Sequence, residues 1–222
     1  MNGYLARAEA LLGAAATSRL KTARVLVVGV GGVGSWCAEA LARTGVGGVA
    51  LMDDDRVVES NCNRQLQALP STIGEFKVKA LRERLLAVNP KCAVEAIDRR
   101  FEGDFDFSPY DAIVDAIDSV DCKAKLIARA LDAGKPVFSS MGAALRLNPT
   151  AVVASDFEQV AGDALARALR RRFRESGKAP GAFRCVWSKE RPMECAERGS
   201  LVTVTATFGM ALASEVVRCL VA

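Results

Sequence analysis

A short apolar run that passes through a glycine-rich loop into a helix restricts the possible fold more than any other feature. Residues 23–29, ARVLVVG, form a β-branched run that ends in glycine, which is typical of a strand buried on both faces of a parallel sheet. The loop GVGGVG follows, and residues 33–45 place apolar side chains at helical spacing and stop at a glycine. This order of elements predicts an α/β protein.

The same alternation of elements continues through the first two thirds of the chain. The first two dozen residues are rich in alanine and predict one or two short helices. Further strands are predicted at 48–53, 93–97, 110–118 and 135–142, and further helices at 75–88 and 121–133. Strands that alternate with helices predict a Rossmann-like, mostly parallel sheet with helices on both of its faces.

The pattern becomes mixed α/β after about residue 148. A strand and turn are predicted at 148–159, a basic helix at 163–176, a short strand at 184–188 and a buried strand-to-helix element at 201–222. We therefore expect a single domain over residues 1–222. Its nucleotide-binding part would cover about 20–142, and a C-terminal part for substrate or dimer contacts would cover about 143–222.

Composition excludes several classes of chemistry. The sequence contains no histidine, so neither an imidazole base nor a histidine metal ligand is available. Its seven cysteines are scattered and never spaced C-x-x-C, which indicates free thiols in a reducing compartment and no zinc site. The N-terminus does not resemble a secretory signal. We therefore expect a cytoplasmic protein, and the net charge of +4 permits an anionic partner.

The C-terminal 22 residues are apolar enough to suggest a membrane span. They contain Glu215 and Arg218, however, and charges are costly within a bilayer. A buried element is therefore favoured over a span, and peripheral membrane contact stays open.

The glycine loop predicts a phosphate site. Gly29, Gly31 and Gly34 have the spacing G-x-G-x-x-G, with Gly32 inside it, and glycine lets backbone N–H groups approach a phosphate at the start of a helix. Asp53 ends the second predicted strand, where a carboxylate can accept hydrogen bonds from both hydroxyls of a ribose. Up to this point NAD and ATP fit equally well.

The polar residues that follow Asp53 favour a triphosphate. Asn61, Arg64, Gln65 and Lys77 place two cations and two amides downstream of the ribose-binding turn. Two phosphates need little beyond a glycine loop, whereas a triphosphate carries about four negative charges and requires fixed cations and a metal ion.

The remaining carboxylates predict a magnesium site. Asp118 follows another predicted strand and should lie at the same edge of the sheet, where its oxygens suit Mg²⁺. We assign Asp53 to the ribose, Asp55 and Asp118 to the surroundings of metal and phosphates, and Asp54 to solvent.

At these residues the sequence resembles a known superfamily. GVGGVGSW, DDDRVVESNCNRQL and DAIDS are similar to the motifs of the ubiquitin-activating-like adenylating enzymes of the ThiF/MoeB/HesA type. NCNRQ, DAIDSVDCKAKL, SSMGAALRLNPT and CVWSKERP resemble one branch of it, the tRNA threonylcarbamoyladenosine dehydratases. The resemblance covers about residues 20–220.

The resemblance implies ATP-dependent activation of a carboxylate on tRNA. In that family the threonyl carboxylate of a modified adenosine attacks the α-phosphate, pyrophosphate leaves, and the acyl-adenylate cyclises with loss of AMP. By motif, Asp53 would bind ribose, the residues Asn61, Arg64, Gln65 and Lys77 would surround the triphosphate, and Asp118 would hold Mg²⁺. Arg64, Lys77 and Asp118 would be catalytic.

The resemblance also implies partners and two further residues. It suggests a homodimer in which an N-terminal arginine reaches the triphosphate of the other subunit, and Arg7 is the candidate. Cys185 stands where relatives can have cysteine, and both a nucleophile and a buried, inert thiol are open interpretations. A sulfur-transfer partner of the cysteine desulfurase system and a monovalent cation are open as well.

The basic helix at 163–176 is a candidate tRNA contact. Arg167, Arg170, Arg171 and Arg174 have spacings of three, four and seven, which would place them on one face, and Lys178 follows. Such a stripe is typical of a solvated face, and it also suits the phosphates of a tRNA backbone.

Three other functions stay open at this point. A carboxylate at the C-terminus of a sulfur-carrier protein could be adenylated instead of one on tRNA. An NAD-binding oxidoreductase would use the glycine loop and Asp53, but it leaves Arg64 and Lys77 without a task. A non-catalytic scaffold would retain the fold alone.

Overall fold

The computed structural model describes residues 3–177, 179–197 and 199–222. The strands are β1 (Arg24–Val28), β2 (Gly48–Met52), β3 (Ala93–Ile97), β4 (Ala112–Asp115), β5 (Val137–Ser140), β6 (Val152–Asp156) and β7 (Arg184–Ser188). The helices are α1 (Ala6–Leu12), α2 (Ala14–Thr22), α3 (Gly34–Thr44), α4 (Lys77–Val88), α5 (Val120–Asp132), α6 (Ala164–Glu175) and α7 (Val202–Val221). The predicted α/β fold is confirmed.

The seven strands form one sheet in the order β3-β2-β1-β4-β5-β7-β6. All neighbouring strands are parallel except β6 and β7, which are antiparallel. The chain adds β2 and β3 on one side of β1 and then crosses to add β4 and β5 on the other. Such a reversal opens a crevice at the carboxyl ends of β1 and β4, where ligands of doubly wound sheets bind.

Successive side chains of β1 serve two separate cores. Val25 and Val27 belong to the core that contains residues of α3, α4 and α7, whereas Leu26 and Val28 belong to the core that contains residues of α5 and α6. This follows from the twofold periodicity of a strand. Helices therefore cover both faces of the sheet, as the alternation of elements predicts.

The C-terminal element differs from the prediction in its first part. The strand expected at the beginning of 201–222 is wrong, because α7 is a continuous helix from Val202 to Val221. Val204, Phe208 and Leu212 are buried at intervals of four residues, and packing of this face overrides the β propensity of the VTVT run. In the described residues, α7 alone is long and apolar enough to cross a membrane, but a core helix can meet that criterion too.

Close contact between α7 and α3 requires a glycine. A Cβ atom at Gly209 would lie 2.5 Å from the carbonyl oxygen of Val33 and 2.8 Å from Cβ of Trp36. The two helices can therefore approach this closely only because residue 209 has no side chain. Since α3 follows directly after the glycine loop, this contact supports the floor of the crevice.

Candidate active site

A cavity of about 440 Å³ lies at the carboxyl ends of the central strands. Ten of the eleven residues predicted to bind the nucleotide line it: Gly29, Gly31, Gly32, Asp53, Asp55, Asn61, Arg64, Gln65, Lys77 and Asp118. Residues from five separate segments of the chain thus meet where the sheet topology opens the crevice. This is the size and position expected of a small-molecule site in an α/β protein.

The glycines of the loop have different tasks. Gly29 has a φ of +86°, and a Cβ atom there would lie 2.7 Å from the carbonyl oxygen of Ala116. A Cβ atom at Gly34 would lie 1.8 Å from the carbonyl oxygen of Gly29, so Gly34 lets the helix start close beneath the loop. Gly34 does not line the cavity, in contrast to the prediction, whereas Gly31 and Gly32 do. Side chains at Gly31 and Gly32 would occupy part of the space that the loop leaves for a ligand.

Asp53 is held by backbone N–H groups. The Val30 N–H donates to its Oδ2 at 2.8 Å, and the Asp55 N–H donates to its Oδ1 at 2.9 Å. Burial raises the pKa of this carboxyl above its usual value, although Lys77 and the two N–H groups act in the opposite direction. Each oxygen keeps a free lone pair, so the carboxylate can still accept from two ribose hydroxyls.

Two cationic side chains partly neutralise the negative charge of the three adjacent aspartates, whose carboxylates lie within 4.8 Å of one another. Lys77, the first residue of α4, is buried and places its Nζ 2.6 Å from Oδ2 of Asp55. Arg100 places its Nε 3.4 Å from Oδ2 of Asp54, and both side chains are exposed. Asp55 is therefore engaged by an ammonium group, and Asp54 faces solvent beside a guanidinium group.

Arg64 is positioned by local bonds in the segment after β2. Its Nη1 donates to the carbonyl oxygen of Ser60 at 2.7 Å and to Oδ1 of Asn63 at 2.9 Å. The indole N–H of Trp36 donates to the Arg64 carbonyl oxygen at 3.0 Å, which ties the segment to α3. The guanidinium group is thus held at the cavity with donors to spare.

The amide side chains of this segment include an unpaired buried acceptor. Asn61 is buried and its Oδ1 accepts from the Val58 N–H at 3.2 Å. Gln65 is also buried, and its Oε1 has no hydrogen-bond partner among the described residues. An unpaired buried acceptor is costly, so a ligand donor in the cavity would stabilise this side chain.

Asp118 lines the cavity from the β4 side and is exposed. Beneath it lies a buried cluster that the sequence did not reveal. Asp115 Oδ2 accepts from Nζ of Lys123 and from Oγ of Ser139, each at 2.6 Å, and Lys123 also donates to the Ser140 carbonyl oxygen. Since Asp115 Oδ1 also accepts from the backbone N–H two residues later, the cluster holds the turn that carries Asp118.

Several lining residues were not predicted from the sequence. They are Arg99, Arg100 and Phe101 after β3, Met141–Ala144 after β5, Leu165 in α6, and Ser200 and Thr205 around the start of α7. The rule that carboxyl ends of parallel strands share one edge could have indicated those after β3 and β5. Nothing in the sequence brings Leu165 or Ser200 to this edge.

The loop at 142–147 forms one wall of the cavity. Its Leu145 has a φ of +61°, a left-handed conformation that costs of order 1–3 kcal/mol for a residue with a side chain. The Leu145 N–H donates to the carbonyl oxygen of Gly199 at 2.9 Å, and the Met193 N–H donates to the Leu145 carbonyl oxygen at 2.7 Å. The segment before α7 thus holds this strained residue in place.

Two predicted catalytic residues lie outside the cavity. Arg7 is exposed on α1, and neighbouring Leu5 lies close to Gly45, at the other end of α3 from the glycine loop. Its predicted role concerned a second subunit and stays a prediction. Cys185 is 1% exposed within β7, and burial raises the pKa of its thiol. This burial favours the inert thiol and argues against the nucleophile.

The four arginines of α6 do not form one open face. Arg167, Arg171 and Arg174 are exposed, but Arg170 is partly buried and donates to the carbonyl oxygens of Phe157 and Val160 at 2.8 and 2.7 Å. Arg170 therefore differs from the expected exposed stripe, because helical spacing does not reveal which backbone carbonyls lie beside the helix, and the tRNA contact of the stripe stays a prediction.

Lys178, predicted to extend the stripe, lies outside the described residues.

A doubly wound sheet that brings a glycine loop, a ribose-side carboxylate and two cations to one cavity defines a nucleotide-binding α/β protein. Comparison with known proteins is more specific. The chain belongs to the ThiF family, whose model matches residues 5–222.

Two curated relatives have the same name. The chain is 38% identical over 192 residues to the tRNA threonylcarbamoyladenosine dehydratase of Bacillus subtilis, covering 84% of this chain and 75% of the relative. It is 34% identical over 244 residues to that of Escherichia coli, covering 96% and 91%. The crystal structure of the E. coli enzyme in complex with ATP has a TM-score of 0.89 and 35% identity, covering 98% of this chain and 93% of that one.

Proposed function

We propose that this chain is an ATP-dependent tRNA threonylcarbamoyladenosine dehydratase. The observation that carries the proposal is the meeting of the glycine loop, Asp53, Arg64, Lys77 and Asp118 in one cavity. It is supported by curated relatives at 34–38% identity that bear this name and by an ATP complex of one of them. The reaction adenylates the threonyl carboxylate and closes it into a ring.

The residues of the cavity suit the first step. Asp53 would accept from the ribose hydroxyls, and the N–H groups of Gly31 and Gly32 would face the phosphates. A carboxylate oxygen of the substrate forms a bond to the α-phosphorus, and the bond to pyrophosphate breaks. Arg64 and Lys77 would stabilise the charge that builds up on the transferring phosphate and the leaving pyrophosphate.

The absence of histidine agrees with this mechanism. The nucleophile is a carboxylate, which is already ionised at neutral pH, so the enzyme needs no strong base to generate it. In the second step another atom of the same substrate side chain attacks the activated carbonyl carbon, and AMP leaves. The protein must mainly stabilise charge and hold the substrate, which fixed cations and a shaped cavity can do.

Asp118 is the residue we assign to Mg²⁺. Its carboxylate is exposed to the cavity and offers the hard oxygen ligands that Mg²⁺ prefers, whereas Asp55 is already paired with Lys77. When bound, Mg²⁺ supplies positive charge to the phosphate oxygens. Asp118 would be the carboxylate that holds the metal.

The tRNA substrate requires a surface beyond the cavity. The exposed residues Arg167, Arg171 and Arg174 lie on α6, whose first turn reaches the cavity through Leu165. We assign phosphate contacts to these three arginines, because such contacts give affinity without sequence specificity.

A homodimer is part of the same proposal. Exposed apolar side chains on the N-terminal segment and on α7 would supply its interface, among them Leu11, Tyr4 and Met210. Arg7 would then reach the cavity of a second copy.

Five other expectations stay predictions. They are the division of the single domain into two parts, a sulfur-transfer partner, a monovalent cation, peripheral membrane contact and a cytoplasmic location.

The deciding experiment compares possible acceptors directly. ATP–pyrophosphate exchange and AMP release are measured with threonylcarbamoyladenosine-containing tRNA, with a sulfur-carrier protein ending in Gly-Gly, and without acceptor. We expect stimulation by the tRNA alone, and nucleoside mass spectrometry should detect the cyclised product. Stimulation by the carrier protein alone would assign the chain to carrier activation. Tight NADH binding without any response to ATP would overturn adenylation altogether.

A further inference from the structure

One buried ion pair holds the wall of the cavity that follows β5. Arg146 and Asp163 are each 3% exposed, and Nη2 of Arg146 donates to Oδ2 of Asp163 at 3.0 Å. A buried ion pair is weak evidence for stability, because removing two charges from water offsets much of their attraction. The role of this ion pair therefore depends on which backbone segments its two side chains hold in place.

The guanidinium group of Arg146 joins two segments of backbone around the cavity. Its Nη1 donates to the carbonyl oxygens of Gly142 and Ala144, which both belong to lining residues. Its Nε donates to the carbonyl oxygen of Glu190 at 3.3 Å, in the segment between β7 and α7. Arg146 thus fixes the wall from behind and ties it to the chain that leads to Ser200.

The carboxylate of Asp163 joins the same wall to α6. Its Oδ2 accepts from the Gly142 N–H at 3.2 Å, and its Oδ1 accepts from the Ala166 N–H at 2.9 Å, so Asp163 also caps the helix. Leu165, in the first turn of this helix, lines the cavity. The ion pair therefore connects the nucleotide cavity with the helix that carries the exposed arginines.

The strand order separates this wall from the ribose side of the cavity. Asp53 follows β2, the glycine loop follows β1, and Gly142 follows β5, in a sheet that runs β2-β1-β4-β5. With the ribose at Asp53 and the phosphates at the glycine loop, the space in front of Gly142–Ala144 lies on the other side of the glycine loop from the ribose. That space would be available to the group that attacks the α-phosphorus.

We infer that Arg146 is a positioning residue for the acceptor carboxylate, with Asp163 as the residue that orients Arg146. By holding Gly142–Ala144, Arg146 sets the distance and angle at which the acceptor meets the α-phosphate. This inference rests on the proposed function. Misplacement of a reacting group by about 1 Å can lower a rate by about 100-fold. A shift of Gly142–Ala144 after loss of Arg146 should therefore lower kcat measurably.

The test separates nucleotide binding from catalysis. In Arg146→Met, we expect the Kd of ATP to stay within about twofold of wild type, because the ribose and phosphate ligands lie on other segments. We expect the kcat of tRNA-dependent AMP formation to fall by about 100-fold. Arg146→Lys should recover part of this loss, since an ammonium group can donate to the wall carbonyls but lacks the span of a guanidinium.

A double variant distinguishes positioning from a loss of stability. Arg146→Met leaves the carboxylate of Asp163 buried without its partner, so the Tm should fall. Asp163→Asn, added to it, removes that charge and keeps a good helix N-cap. The double variant should regain much of the lost Tm, while its kcat stays low because the guanidinium is still missing.

Each contrary outcome has a separate meaning. If kcat returns together with Tm in the double variant, the pair is structural only and the inference is overturned. If the affinity for ATP falls as much as kcat, the wall does not serve the acceptor, and the inference is again overturned. If the wild-type protein forms no AMP with tRNA although it binds ATP, the proposed function itself fails, and this inference falls with it.

Discussion

The part of the cavity around Asp53 and Arg64 (the ribose side) and the wall at Gly142–Ala144 (the acceptor side) differ in what holds their residues in place. On the ribose side, Asp53 accepts from the N–H two residues later, and Arg64 donates to a carbonyl four residues earlier. On the acceptor side, Arg146 reaches Asp163 and Glu190, which are 17 and 44 residues away. Local turns and separate contacts from Val30, after β1, and Trp36, in α3, thus hold the ribose side, whereas one buried ion pair joins three segments at the acceptor side.

This difference predicts how substitutions act on each side. A change on the ribose side removes a proposed ligand of ATP, so its expected effect depends on the charge that is lost. A change on the acceptor side moves a wall that three segments share, so its effect appears in kcat while ATP binding is preserved. Four experiments test this difference between the two sides, and the first has the largest expected effect.

Lys77→Met should have the largest effect. It removes a buried cation that lines the cavity, and we expect kcat/KM for adenylation to fall by about 100-fold or more. Pyrophosphate exchange measures this loss. Lys79→Met is the matched control, because Lys79 lies on the same helix but is exposed and paired with Asp98. Rates within twofold of wild type for Lys77→Met would remove this lysine from the catalytic set.

Asp53→Asn should weaken ATP binding by about tenfold, since hydrogen bonds to a charged acceptor contribute about 1.5–3 kcal/mol. The wild-type carboxylate must be ionised to accept from two hydroxyls, and burial raises its pKa above the usual 3.8. ATP affinity should therefore begin to fall, as the pH is lowered, at a higher pH than for an ordinary aspartate.

The asparagine variant should lack this part of the pH dependence. Titration of both proteins with a fluorescent ATP analogue between about pH 4 and 7 compares them. Parallel pH profiles for the two proteins would exclude Asp53 as the titrating group.

Gly142→Ala should disturb the acceptor wall alone. A Cβ atom at Gly142 would lie 3.2 Å from Oδ2 of Asp163, so the loop must shift by a few tenths of an ångström. We expect kcat to fall by about tenfold with the Kd of ATP unchanged. Gly199→Ala is the control, because a Cβ atom there meets nothing within 4 Å. Weaker ATP binding in Gly142→Ala would break the division between the two sides.

The triple substitution Arg167→Gln, Arg171→Gln and Arg174→Gln should have the smallest effect on the reaction. We expect tRNA affinity at moderate salt to fall by about tenfold and its salt dependence to become shallower. Binding measured between about 50 and 200 mM salt tests this.

Arg170→Gln is the contrasting variant on the same helix. The wild-type Arg170 donates to two carbonyl oxygens, so the variant should lose about 1–3 kcal/mol of unfolding free energy. The salt dependence of its tRNA affinity should stay unchanged. An unchanged slope in the triple variant would place tRNA elsewhere.

Much of the ribose side could be predicted from the sequence. Glycine spacing, a strand that ends in aspartate and a run of amides and cations are short-range patterns, and ten of the predicted residues do line the cavity. The first turn of α7 was predicted wrongly, because β-branched residues favour strands locally while packing against α3 stabilises a helix. The buried pair of Asp115 and Lys123 was missed, since its residues look like ordinary strand and helix positions.

The α/β alternation, the phosphate loop and the candidate ligands between residues 53 and 77 follow from the sequence alone, because each is marked by a short-range pattern of residues. Long-range packing brings Arg146 and Asp163 together behind Gly142, turns Arg170 inward and buries Cys185. The physical reason is that burial and long-range pairing depend on which segments the sheet brings together, and local periodicity does not contain that information.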